Sequence, residues 1–450
     1  MELRGKKVTV VGMGRTAMSV VKLLLREGAE PFVTDSNQAE RLEGQTAELR
    51  ALGVAYECGG HTSDAFSGAT WVLPSPGVSP RLDCIQQALA GGAWLIGELE
   101  LASWFNTAPV LAVTGTNGKT TTTELLRALV AGCGHDVVLA GNNDTPFSSV
   151  VLSEQRPDYV VLEASSYQTE LIRSFRPWIA AALNVTPDHL ARHGTLEGYA
   201  AAKARLFVNQ IPGDIAVLNA DDPRVAEMAA GVASSVYWFS IDRHVDRGMS
   251  VSGDDILSDG EPVARVSDSC LPGRHNLANV LAALTMMRAG GFDWPKTIES
   301  LRAFRGVEHR IELVAERGGV AYYNDSKSTN LDSLRVALES FSRPIILIAG
   351  GEGKGADYRV LRDLLRQHVK HLVLIGEDAP LIEAAFGDLV PTVRCADMDE
   401  AVRRAASLAV EGDIVLLSPA CASFDMFDNY EHRGRVFKEC VRQRVEDLAP

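Results

Sequence analysis

The run Thr114-Gly115-Thr116-Asn117-Gly118-Lys119-Thr120-Thr121 has the residue types that hold a phosphate chain. Glycines let backbone N–H groups wrap phosphate oxygens, and a following helix N-terminus adds positive potential. Lys119 is placed for the β- and γ-phosphates, and the Thr120 hydroxyl for magnesium. The longer phosphate-loop pattern is incomplete, because Val113 stands where its first glycine belongs. The alternative is a Gly-rich turn without a ligand. Glu163 ends an apolar stretch, where a carboxylate beside a phosphate loop can take magnesium. His189 closes Asn184-Val185-Thr186-Pro187-Asp188-His189. A lone histidine is more often structural, but this one follows a strand edge. Lys203 lies four residues after Tyr199 and three before Leu206, on an apolar helical face. It is either a snorkelling lysine or a desolvated amine able to react while neutral.

Two further groups stand outside this segment. Gly12-Met13-Gly14-Arg15-Thr16-Ala17, with Asp35 downstream, has the dinucleotide turn pattern, which suits any nucleotide diphosphate. Near the other end, three polar loops each follow an apolar run: Asn324–Asn330, Gly350–Lys354 and Ser418–Ser423. Two of them carry a lysine, and together they suit an anion such as an amino-acid dicarboxylate. Cys421 reads as a packing residue.

Short apolar runs alternating with amphipathic stretches must position these groups. In residues 1–97 the strands are Val8–Val11, Pro31–Thr34, Trp71–Leu73 and Ala93–Ile96, with a helix over Ala17–Arg26. In residues 98–305 they are Val110–Val113, Asp158–Leu162 and Ile179–Leu183, with helices over Thr120–Val130 and Leu196–Asn209. Val236–Ser240, Met249–Val251 and Ala264–Val266 suggest an antiparallel patch turned at Asp259-Gly260. Residues 306–450 alternate again, with strands Val320–Tyr323, Pro344–Ala349, His371–Ile375 and Asp413–Leu417. Helices are expected over Leu331–Leu338, Tyr358–Arg366 and Asp399–Val410.

The 450 residues suit about three domains. A formal charge of −14 argues against general nucleic-acid binding, which needs a basic face. No apolar run approaches a membrane span, and no signal-peptide core opens the chain, so a cytoplasmic protein without membrane insertion is expected. The 7 cysteines are scattered without a C-x-x-C pair, as reduced thiols are. Nothing demands a symmetric interface, and a monomer is expected.

In order along the whole chain, these motifs resemble the muramyl ligase family. The most specific parts are Thr114–Thr121, Asn324–Asn330 and Leu417–Gly434. The resemblance implies three α/β domains: an N-terminal Rossmann-like domain for a UDP sugar, a central P-loop-type ATPase domain with the antiparallel patch, and a C-terminal Rossmann-like, doubly wound domain for the incoming amino acid. It implies ATP and two magnesium ions, with an acyl phosphate through which D-glutamate joins UDP-N-acetylmuramoyl-L-alanine in peptidoglycan precursor synthesis. Gly14, Arg15, Thr16, Asp35, Ser36, Ser75 and Gly77 would hold the uridine diphosphate. Asn142, Ser165 and Gln168 would lie near the muramoyl-alanine end. Gly115, Thr116, Asn117, Gly118, Lys119, Thr120 and Thr121 would take the ATP phosphates. Asn276 and Asn279 match adenine contacts, Arg310 a phosphate contact and Asp325 a ribose contact. Thr120, Glu163, His189 and Lys203, the last as a carbamate, would hold metal. Lys327, Thr329, Lys354, Ser423 and Tyr430 would hold D-glutamate. Lys119, His189, Lys203 and Lys327 would serve catalysis.

The chain departs from the family pattern at Asn143-Asp144 (usually Ile-Gly), Ala191 (often Asp) and Glu308 (often Pro). Three rivals compete: a folate-type polyglutamate ligase, a nicotinamide-dependent oxidoreductase, and a nucleotide-binding switch protein.

Overall fold

A computed structural model describes residues 2–143, 145–353 and 355–447. The chain divides into two compact units, Met1–Ser269 with Ala278–Arg302, and Cys270–Leu277 with Ala303–Pro450. The helix Arg274–Ala289 carries residues of both. Among the described residues, three sheets underlie the units. The first orders its parallel strands Ala55–Cys58, Glu30–Asp35, Lys7–Val11, Trp71–Pro74 and Trp94–Leu95. Both faces of its central strand are buried, which explains why Val8–Val11 reads as an unbroken apolar run. The expected strand at Ala93–Ile96 shortens to two residues, and the half-exposed edge strand Ala55–Cys58 lacks an apolar run that would announce it.

The second sheet has nine strands. Val110–Thr114 lies between Tyr159–Glu163 and Ile179–Ala182, with Val113 beside Glu163 and Thr114 beside Ala182. The C-terminal ends of these three neighbours therefore converge. The helix Arg15–Arg26 packs beside Phe147–Leu152, and one continuous apolar core runs from Val8 and Leu24 to Phe147 and Leu162. Sharing that core joins the first two sheets into one unit.

The antiparallel patch differs from expectation. Ser235–Ser240 pairs in parallel with Gly248–Ser252. The antiparallel ladder comprises Gly248–Ser252, Asp255–Ser258 and Glu261–Arg265, and Val266 has left the strand for a 3-10 turn. The Asp255–Ser258 strand is too short and polar to stand out in sequence. The turn is placed as expected: Asp259 (φ 52) and Gly260 (φ 88) are both left-handed, as a tight hairpin requires.

In the second unit the sheet runs Glu312–Arg317, Val320–Asn324, Ile414–Leu417, Ile345–Gly350, Val369–Ile375 and Thr392–Arg394, with only the first strand antiparallel. Apolar layers cover both faces, led by Leu347 and Leu372 on one and Ile346 and Val373 on the other. The helix expected at Tyr358–Arg366 begins as a 3-10 turn over Tyr358–Leu361 and becomes α-helical over Arg362–His368. The last helix, Tyr430–Asp447, is so rich in charge that its apolar stripe is thin.

Candidate active site

The strand Val110–Thr114 leads through the Gly/Thr loop into the helix Lys119–Gly132. Gly118 is left-handed (φ 86), and a Cβ there would overlap the Asn279 side chain. Glycine is required twice over, by backbone angle and by the closeness of Asn279. The Lys119 ammonium donates to the Gly115 and Thr116 carbonyls, both at 2.9 Å.

A residue without an assigned role in sequence shapes this loop. Asn184 follows the neighbouring strand; its Oδ1 accepts from Asn117 N (2.8 Å) and its Nδ2 donates to Asn117 O (3.1 Å). Its carbonyl accepts from Thr116 N at 2.9 Å, and Thr186 N donates to the Thr116 hydroxyl at 3.0 Å. An asparagine just past a strand was the available signal, but its partner lies in another segment.

Glu163 is buried at the end of its strand. One carboxylate oxygen accepts from Asn142 Nδ2 at 3.0 Å, and the other is buried with no donor among the described residues. A buried carboxylate oxygen lacking a donor is costly, and a cation would satisfy it. Asn142 thus lies on the Glu163 carboxylate, while Ser165 and Gln168 bond each other in a capping box over Ser166–Thr169. Asn143 accepts from Thr145 N within its own turn, and the departure at Asp144 lies outside the described residues.

His189 is left-handed (φ 53), with Nδ1 3.1 Å from the Tyr167 hydroxyl and its ring 4.9 Å from the Tyr167 ring. Arg192, three residues on, bonds Glu170, stacks on Tyr167 and donates to Val78 O at 2.9 Å. Ala191 is exposed.

Lys203 is 1% exposed, on the helix Leu196–Ala204. Its ammonium donates to Gly115 O at 2.7 Å and sits 4.2 Å from the Tyr199 ring centroid, so the apolar face read from sequence exists. Burial, aided by the nearby Lys119 charge, lowers its pKa from 10.5 to about 7. Thr120, Glu163 and a carbamylated Lys203 would offer hard oxygen donors, with His189 adding nitrogen; this set fits magnesium.

Asp35 turns inward. Its Oδ2 accepts from Met13 N (2.8 Å), and its Oδ1 accepts from Asn37 N and Nδ2. The carboxylate therefore shapes the Gly12 turn from within. A Cβ on Gly12 would come 2.7 Å from the Ser75 hydroxyl, so this loop and the Ser75–Gly77 turn close on each other. Gly14, Arg15, Ser36 and Gly77 are exposed around it, and Thr16 is partly buried.

In the second unit the three polar loops follow adjacent strands. Asp325 is buried; Ser418 Oγ donates to its Oδ2 at 2.8 Å, and burial pushes its carboxyl up to about 7. The Lys327 ammonium lies 5.3 Å from the Tyr430 ring centroid. Ser423 is buried and Thr329 partly so, while Lys354 lies outside the described residues. The Asn276 amide donates to Pro272 O at 2.7 Å, and Arg310 is exposed. Cys421 is buried against the Tyr358 hydroxyl at 3.0 Å, as a packing residue is. No disulfide joins cysteines among the described residues.

Arg433 has no assigned role in sequence, yet it organises these loops. Fully buried, it donates to Ser326 Oγ and O and to the Cys421 and Ala422 carbonyls, from 2.8 to 3.1 Å. Only its place within Leu417–Gly434 marked it.

A glycine-rich loop beside a buried carboxylate and a buried lysine, at the edge of an α/β sheet, fits the class of nucleotide-using enzymes. The Mur ligase MurD-like N-terminal domain matches residues 6–97, the Mur ligase middle domain 113–287, and the Mur ligase glutamate ligase domain 309–421. The chain belongs to the Mur ligase family. A protein of Pelotomaculum thermopropionicum named UDP-N-acetylmuramoylalanine--D-glutamate ligase is 44% identical over 442 residues, covering 97% of both chains. One of the same name from Koribacter versatilis is 44% identical over 450 residues, covering 99% of both. In fold, the chain is similar to the UDP-N-acetylmuramate-alanine ligase of Thermotoga maritima (TM-score 0.58, 19% identity, 97% of this chain and 99% of that one). It is also similar to a MurF ligase of that organism in complex with ADP (TM-score 0.56, 18% identity, 100% and 97%). Among the described residues no helix is long and apolar enough to cross a membrane.

Proposed function

We propose that this chain is an ATP-dependent amide ligase that adds D-glutamate to UDP-N-acetylmuramoyl-L-alanine through an acyl phosphate, in peptidoglycan precursor synthesis. The observation that carries the reading is the meeting of Lys119 and Lys203 on the Gly115 carbonyl, on a sheet edge that also holds Glu163. Full-length identity to ligases named for this reaction supports the acceptor. An oxidoreductase needs no second phosphate loop, and a folate-type ligase needs no uridine-nucleotide domain.

A carboxylate is a poor acyl donor, so the γ-phosphoryl group of ATP supplies the leaving group. The substrate carboxylate attacks that group and ADP departs; the neutral D-glutamate amine then attacks the acyl phosphate, loses a proton, and phosphate departs with the electron pair of the broken C–O bond. Lys119 leaves its carbonyl partners to offset charge on the transferring phosphoryl group. Asn184 holds the loop in shape, which reduces reorganisation at that moment. Thr120, Glu163, His189 and carbamylated Lys203 would hold magnesium, which would supply further charge neutralisation. Lys327, Thr329, Lys354, Ser423 and Tyr430 orient the amino acid, converting a bimolecular attack into a near-attack arrangement. Gly14, Arg15, Thr16, Ser36, Ser75 and Gly77 hold the uridine diphosphate, with Asp35 shaping their loop. Domain limits of 1–97, 98–305 and 306–450, a cytoplasmic location and a monomeric state belong to the same proposal.

The test is phosphate release from ATP with magnesium and UDP-N-acetylmuramoyl-L-alanine, adding D-glutamate, L-glutamate, L-lysine or meso-diaminopimelate in turn. Release that depends on D-glutamate alone is the expected result. Release with another amino acid removes the D-glutamate assignment, and release with none removes the ligase.

A further inference from the structure

The turn from Glu308 to Glu312 adopts a backbone its residues disfavour. His309 (φ 64) and Ile311 (φ 45) are both left-handed, and a β-branched residue rarely enters that region. Such conformations persist only where their surroundings impose them. Here Glu312 Oε2 accepts from His309 N and from Asn324 Nδ2, both at 3.0 Å. His309 O accepts from Lys327 N at 3.1 Å. Ile311 N donates to Asp325 Oδ1 at 3.3 Å and Arg310 N to Val307 O at 3.0 Å, and a further restraint comes from the final helix. Lys438 Nζ donates to Glu312 Oε1 at 2.9 Å and to Glu308 Oε1 at 2.5 Å, with 11% of its side chain exposed. One helical turn earlier, a Cβ on Gly434 would overlap the His309 imidazole. Gly434 lets the helix approach and Lys438 fastens it.

We propose that Lys438 is a positioning residue for nucleotide binding: by bridging Glu308 and Glu312 it holds the turn that presents Arg310. This rests on the reading of Arg310 as a phosphate contact. A proline at position 308 would fix its own φ, whereas glutamate does not, so the ion pair supplies rigidity that the backbone there lacks. Glu308, His309 and Glu312 offer ligand atoms close enough for a cation, but the ammonium already sits on both carboxylates.

The experiment compares K438M, K438R, E308Q and E308P/K438M in the full chain, by ADP titration calorimetry, KM for ATP and for D-glutamate, and melting temperature. K438M is expected to weaken ADP binding and raise KM for ATP by roughly tenfold, with a smaller change for D-glutamate. K438R returns most of the loss. E308Q keeps the Glu312 pair, and with it the fold, and gives about a threefold effect in the same direction. E308P/K438M recovers part of the ADP affinity. A lowered melting temperature with unchanged ADP affinity and KM for ATP would overturn the proposal. Wild-type protein that binds ADP without amino-acid-dependent phosphate release defeats the ligase reading instead, while the ADP series still decides the role of Lys438.

Discussion

Lys203 and Lys119 donate to the same carbonyl oxygen, that of Gly115, at 2.7 and 2.9 Å. Two ammonium groups on one acceptor repel, and Lys203 is also buried, so its pKa falls to about 7. Only the neutral amine attacks carbon dioxide. Carbamylation should therefore grow as pH rises from 6 to 8 at fixed dissolved carbon dioxide, read as the mass increment of a carbamate on the Lys203 peptide. K203R, whose guanidinium cannot form the carbamate, should lower kcat by about 100-fold or more. Full activity in K203R would remove the carbamate from the mechanism.

The same burial gives a stability prediction. Unmodified Lys203 binds its proton more weakly in the folded chain than in the unfolded one. Its charge therefore costs stability below about pH 7, and the cost is relieved as pH rises from about 7 toward 10.5. Without carbon dioxide, K203M should melt higher than wild type at pH 6.5, and the gap should narrow by pH 9. A constant gap would mean that the ammonium is not desolvated.

Asn184 ties Thr116 and Asn117 to the strand beside the loop. N184A removes two side-chain hydrogen bonds worth roughly 1 kcal/mol each. Calorimetry should show ADP affinity lowered by about tenfold. G118A should do more, because its left-handed φ and the Asn279 side chain both oppose a Cβ. Unchanged affinity in N184A would mean that the loop holds its shape unaided.

Asp325 titrates in the opposite sense. Its folded-state pKa is raised from 3.8 to about 7 by burial, so the protonated carboxyl contributes stability at acid pH that is lost as pH rises through about 7. In D325N the side chain cannot ionise. Its melting temperature relative to wild type should improve from about pH 4 to pH 7 and level off above that, in the absence of nucleotide. A flat difference would mean that Asp325 keeps an ordinary carboxylate pKa.

Arg433 holds two loops together through four acceptor groups. R433M leaves buried carbonyls without donors and should destabilise the second unit by about 3 kcal/mol or more. R433K should not rescue it, because an ammonium lacks the planar fork. Urea unfolding of the two variants checks this; near-wild-type stability in R433K would show that charge alone suffices.

Residue types and local order suffice for much of this protein. A glycine-rich turn between an apolar run and a helix is set by short-range sterics, so the strand–turn–helix placement of Thr114–Thr121 could be read directly. Alternating apolar runs marked the buried parallel strands, because a strand covered on both faces must be apolar throughout. The family pattern marked Glu163, His189 and Lys203. Exposed or short strands such as Ala55–Cys58 and Asp255–Ser258 stayed hidden, since little burial shapes their composition. What only the tertiary structure decided are the long-range pairings. Asn184 meets Asn117 across 67 residues, Arg433 meets Ser326 across 107, and Lys438 meets Glu308 across 130. A polar side chain can bond any compatible group that folding brings near, so its own neighbourhood in the chain holds no record of the partner.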